Sequence, residues 1–91
     1  MGDMPVVKLG DWVEIGTSPP YVRGVVCSIY DDQRLGDIEV VYIDVRDQAI
    51  NEDVVWNDNH WEFKSKGQVG GYADRYSRLN NYVSILRNKY K

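Results

Sequence analysis

The chain holds one thiol, Cys27, and one imidazole, His60. A Cys–His pair becomes a nucleophile only where the thiolate sits in a polar, partly exposed setting. Cys27 lies inside the apolar stretch Val25-Val26-Cys27, where a buried, inert thiol is expected. Asp58, His60 and Glu62 stand at alternate positions, so a strand would turn all three to one side as conceivable metal ligands. With a single imidazole and a single thiol a zinc ligand set stays incomplete, and a solvated turn is the expectation. The adjacent acids Asp31-Asp32 and Glu52-Asp53 are residue types suited to acid–base work. Neighbours on a strand face opposite ways, however, so neither pair is expected to converge. There is no glycine-rich phosphate loop, dinucleotide fingerprint or zinc-type cysteine pair. The expectation is a chain without catalytic residues, metal or cofactor.

Aromatic and basic side chains offer binding chemistry instead. Trp12, Tyr21, Tyr30, Tyr42, Trp56 and Trp61 are many large rings for a chain of 91 residues. Some must reach the surface if the interior is not to be overpacked. Trp12, Tyr21, Tyr42, Trp56 and Trp61 are therefore the candidate ligand-binding set, able to stack on a proline-rich peptide, a methylated cation or a nucleobase. The competing reading is that the tryptophans seal the core. Near the C-terminus, Arg75, Arg78, Arg87, Lys89 and Lys91 could neutralise phosphates, which releases counterions and strengthens binding at low salt.

The elements that must position these residues follow from pattern. Residues 1–66 carry six basic and thirteen acidic side chains, net −7, whereas residues 67–91 carry five basic and one acidic, net +4. Between them lies Gly67-Gln68-Val69-Gly70-Gly71, cheap to bend and poor in helix or strand. The single domain thus divides into an acidic β part (1–66), a glycine-rich joint (67–71) and a basic helix (72–91). In the β part, Trp12-Val13-Glu14-Ile15 is a short strand stopped by Gly16-Thr17-Ser18-Pro19-Pro20. Tyr21 to Tyr30 is a second strand, with Gly24 marking a bulge, a bend or a close backbone approach. After a charged hairpin loop at 31–37, Ile38 to Val45 has one charge in its first six residues and should be covered on both faces. Asp47-Gln48 turns the chain, and Val54-Val55-Trp56 and Trp61-Glu62-Phe63 form two more strands across Asn57-Asp58-Asn59-His60. Five short strands favour a closed barrel, because closure removes exposed edges. Tyr72, Tyr76, Leu79, Val83, Leu86 and Tyr90 recur at intervals of four and three, one stripe of a helix that Asp74 or Ser77 would cap. So short a helix is marginal alone and should dock on the barrel. The rival is self-association, with Tyr76, Leu79, Val83 and Leu86 packing on a second copy.

Gly10-Asp11-Trp12-Val13-Glu14-Ile15, then Gly24-Val25-Val26-Cys27-Ser28-Ile29, then Ile38-Glu39-Val40-Val41-Tyr42-Ile43-Asp44 resembles the strand progression of KOW and Tudor-type domains. The resemblance covers residues 10–44 and implies an SH3-like barrel. KOW domains commonly bind RNA or ribosomal and transcription partners, and Tudor domains hold methylated lysine or arginine in an aromatic cage. The resemblance implies one of these activities.

Composition bounds the rest. One cysteine precludes an internal disulfide and points to a reducing, cytoplasmic setting. The longest apolar run, Val40-Val41-Tyr42-Ile43, is far short of the ~18–20 residues of a spanning helix. The N-terminus does not read as a signal peptide, and Val6 occupies the position where a myristoylation signal needs Ser or Thr. The expected molecule is mainly β, a small five-stranded SH3-like barrel with a C-terminal α-helix. Its expected role is non-catalytic binding of a protein or peptide through barrel aromatics, with nucleic-acid or ribosome association through Arg75, Arg78, Arg87 and Lys89 as the alternative. The acidic barrel repels phosphate backbones and disfavours that alternative.

Overall fold

Alternating apolar residues and tight turns build a closed five-stranded barrel in the computed structural model, which describes residues 3–32, 34–65 and 70–89. The strands are β1 (Trp12–Ile15), β2 (Val22–Ile29), β3 (Ile38–Ile43), β4 (Ala49–Asn57) and β5 (His60–Phe63). They pair in the order β3-β2-β1-β5-β4, and β3 pairs with β4 to close the ring. All contacts are antiparallel except β1 with β5, a parallel join at Ile15 and Trp61. A two-residue strand, β6 (Gly71–Tyr72), adds to the outer edge of β4. Two 3-10 turns, Ala73–Arg75 and Ser77–Leu79, then lead into α1 (Asn80–Lys89). Among the described residues no helix is long and apolar enough to cross a membrane.

Two apolar clusters hold the molecule together. Val13, Ile15, Val26, Ile38, Val40, Val54 and Trp61 fill the barrel interior. Val25, Cys27, Val41 and Ala49 point outward from β2, β3 and β4, and Ala73, Leu79, Val83 and Leu86 cover them. β2 and β3 are therefore sandwiched between interior and helix, the physical reason for the unbroken apolar run of β3. Leu79 and Leu86 are wholly buried in this outer cluster, each burial worth about 1.5–3 kcal/mol. These side chains are thus already covered by the chain's own barrel, as is Val83.

Several boundaries differ from the sequence pattern. The helix starts at Asn80, not Tyr72. Tyr72 pairs with Ile50 as a strand, because β4 offers an unpaired edge whose backbone groups the chain satisfies before turning away. Tyr76 lies between the two 3-10 turns and is exposed, while Leu79, Val83 and Leu86 keep the expected phase. Asp74 and Ser77 belong to the 3-10 turns and cap nothing. Tyr90 and residues 67–69 of the joint lie outside the described residues. β4 begins five residues before Val54, since its Asn51-Glu52-Asp53 stretch hides a strand within polar side chains. The β2 irregularity falls at Cys27, between the pairs of Val26 and Ser28, and not at Gly24. Gly24 instead permits close approach: a Cβ there would come within 3.1 Å of the Val41 carbonyl.

The C-terminal arm is also tied down by charge. Glu39 points outward from β3 and is buried, its Oε1 accepting from Arg78 Nη1 at 2.9 Å and Ser28 Oγ at 3.2 Å. Its Oε2 accepts from Asn51 Nδ2 at 3.1 Å and Arg78 Nη2 at 3.3 Å. Burial alone would raise the Glu39 pKa, but the bonds from Arg78, Asn51 and Cys27 prevail and hold it below the ordinary carboxylate range. The same contact raises the pKa of Arg78.

Candidate functional site

The parallel join determines where an open groove forms. Gly16 donates its N–H to the Trp61 carbonyl at 2.8 Å, which sets the β1–β2 loop beside the β4–β5 turn. Gly16 has φ +132°, backbone that a side-chain-bearing residue resists, so the loop can leave the strand sharply. Across it, Asp58 at φ +64° makes the two-residue turn that returns the chain from Asn57 to His60. Between loop and turn lies a groove of about 430 Å³ lined by Glu14, Thr17, Tyr21, Trp56, His60 and Trp61, with Gly16 and Asn59 at its margins. Trp61 is 5% exposed and packs edge-on against Trp56, ring centres 5.1 Å apart. Trp61 thus forms the floor, Trp56 a half-buried wall, and Tyr21, 40% exposed, the opposite lip.

Polar groups edge these rings. His60 Nε2 lies 3.1 Å from Glu62 Oε2 and its Nδ1 2.9 Å from Asn59 Oδ1, contacts that fix the imidazole plane. Glu14 is 57% exposed along its side chain and meets Arg23 only at 3.8 Å. The site can therefore supply flat apolar surface, an imidazole edge and a carboxylate with spare acceptor capacity.

Of the five aromatics expected to bind, the structure brings three together. Tyr42 lies elsewhere, its ring 5.2 Å from Phe63 and its hydroxyl donating to Glu52 at 2.6 Å. Trp12 packs against the outer cluster beside the end of α1, with Lys89 Nζ 5.8 Å from its ring centre. Of the C-terminal basic residues, Lys91 lies outside the described residues and the other four are engaged within the chain. Arg78 is held by Glu39, Arg87 donates to Asp74 at 3.2 Å, and Arg75 and Lys89 lie over Tyr72 and Trp12.

The residues weighed for nucleophilic, acid–base and metal chemistry lie in separate places in the structure. Cys27 is buried under the arm, its pKa driven up by desolvation and then by Glu39, whereas His60 is in the groove. Glu52 accepts from Tyr42 and Asp53 from Tyr30 at 2.6 Å, so the neighbouring acids serve different partners. Burial and then these acceptors raise the pKa of both tyrosines. Asp32 is held by the Arg34 guanidinium. Among the described residues no group of three His, Cys, Asp or Glu side chains could hold a metal ion.

The sequence pattern left Glu14, Thr17 and Asn59 without a role and weighed His60 only as a ligand or base. Their common cause is the parallel β1–β5 contact, which leaves no local signature in either segment. No protein-family model, curated protein or solved structure matches this chain.

Proposed function

We propose that this chain is a non-catalytic interaction module that binds an extended segment of a protein partner in the Tyr21–Trp56–Trp61 groove. One observation carries the reading: half-exposed Tyr21 and Trp56 flank a buried tryptophan floor beside a loosely paired carboxylate. Partly exposed rings over a packed base offer large contact area at little conformational cost, the pattern of binding hot spots. Selection from a randomised peptide display library tests it. Enriched peptides should lose most of their affinity for Trp56→Ala and Tyr21→Ala variants whose thermal unfolding shows an intact fold. Enriched peptides that bind Trp56→Ala as tightly as the parent, or no enrichment at all, would overturn the reading.

The alternative, nucleic-acid or ribosome association through Arg75, Arg78, Arg87 and Lys89, is disfavoured by the intramolecular partners of all four. Anisotropy of labelled RNA at low salt decides it. Tight binding with a steep salt slope would move the site to the helix; no binding is expected.

A further inference from the structure

Resting on that reading, we infer that the groove is one half of a longer track whose ligand is an extended peptide with two apolar ring anchors flanking a basic residue. A second hollow of about 230 Å³, lined by Trp12, Val13, Glu14, Arg23 and Lys89, opens on the other side of Glu14. Glu14 lines both hollows and is the wall they share. The reason lies in the pleat of β1. Val13 and Ile15 face the barrel interior, so Trp12 and Glu14 face outward, and Gly16 follows in the same register. Trp12 floors one hollow, Glu14 divides them, and Gly16 lies at the margin of the other.

The spacing defines the ligand. Outward positions along a strand repeat every ~6.6–6.8 Å, so the hollows sit roughly 13 Å apart with Glu14 midway. A peptide lying extended beside β1 has the same repeat. Its residues i and i+4 would enter the two hollows, and i+2 would face Glu14. The charge follows from Glu14, whose carboxylate is mostly exposed and whose contact with Arg23 is long. Arg23 and Lys89 line the second hollow, whereas on the groove side Glu14 is the only carboxylate of the lining, so a cation is favoured where the ligand passes from the groove onto Glu14. A lysine or arginine at i+2 is the complementary choice.

The test uses labelled serine–glycine peptides carrying tryptophan at i and i+4 and lysine, serine or glutamate at i+2, with single-tryptophan peptides beside them. Binding is read by anisotropy against the parent, Trp12→Ala, Glu14→Gln, Glu14→Lys and Trp56→Ala. The two-anchor lysine peptide should bind at least about tenfold tighter than single-anchor or glutamate peptides. Trp12→Ala should erase the advantage of the second anchor, and Glu14→Lys should reverse the preference between lysine and glutamate. Glu14 is exposed, so its variants keep the test valid should Trp12→Ala fail to fold. Equal binding by single-anchor peptides, unaffected at Glu14 but lost in Trp56→Ala, would overturn the track and leave the single groove standing. Binding that ignores Trp56, or no binding by the designed peptides, would overturn the track, and the groove reading falls only if library-selected peptides also ignore Trp56 or none is enriched.

Discussion

Removing the guanidinium of Arg78 while keeping its stem, as in Arg78→Met, isolates the charged contact between arm and barrel. Glu39 is 6% exposed along its side chain, and its two bonds to Arg78 are replaced by nothing. Breaking a fully buried pair costs about 3–5 kcal/mol, because an uncompensated charge remains in low dielectric. Arg78 is 54% exposed and part of its attraction is already screened by water, which brings the figure to about 2–3 kcal/mol. For a chain this size that lowers Tm by on the order of 10–20 °C. The sign of the pH dependence is fixed. A carboxylate with a depressed folded pKa contributes stability above its unfolded pKa, about 4.3, and that stability fades as pH falls through the folded value. The penalty of Arg78→Met is therefore largest above the unfolded pKa and closes as pH falls and Glu39 is protonated, and Glu39→Gln in the same background removes that pH dependence. Urea unfolding of the two single variants and the double, repeated across acid pH, measures both effects. A loss at neutral pH under ~0.5 kcal/mol, or a loss that stays the same in acid, would refute the reasoning.

Leu79→Ala and Leu86→Ala should each cost about 2–5 kcal/mol in urea unfolding, since both side chains are wholly buried between helix and barrel. A negligible loss would mean that the arm contributes no core. At alkaline pH the raised pKa values of Cys27, Tyr30 and Tyr42 work the other way: stability is present below the unfolded values and lost above them. Stability measured by urea unfolding should begin to fall above about pH 8.5 and fall more steeply above about 10, and Tyr42→Phe should weaken the steeper part. Gly70→Ala should destabilise sharply, because a Cβ there would meet the Asn51 carbonyl and Ile50 Cγ2 at 2.7 Å, backbone and core that cannot yield. Unchanged thermal unfolding of that variant would contradict the packing.

What could be read in the sequence was what is local. Trp12–Ile15 stopped by Gly16, the tight polar link at Asn57-Asp58-Asn59-His60, which the structure narrows to Asp58-Asn59, and the phase of Leu79, Val83 and Leu86 all carry their cause within a few residues. The first half of β4 was not legible: Glu52 and Asp53 are polar because Tyr42 and Tyr30 bond them from distant strands. Likewise Tyr72 fits the helical stripe by spacing, but the free edge of β4 competes for its backbone and prevails. The groove was legible in its rings and not in its geometry. Tyr21, Trp56 and Trp61 meet only because β1 and β5 join in parallel, which also separates them from Tyr42 and Trp12.

The most direct test is amide chemical-shift mapping of the labelled protein with a library-selected peptide. The largest shifts should fall on Glu14 to Tyr21 and Trp56 to Trp61, with the exposed face of α1 unmoved. Shifts centred on Arg75, Arg78 and Arg87, with Trp56 and Tyr21 unperturbed, would contradict the account.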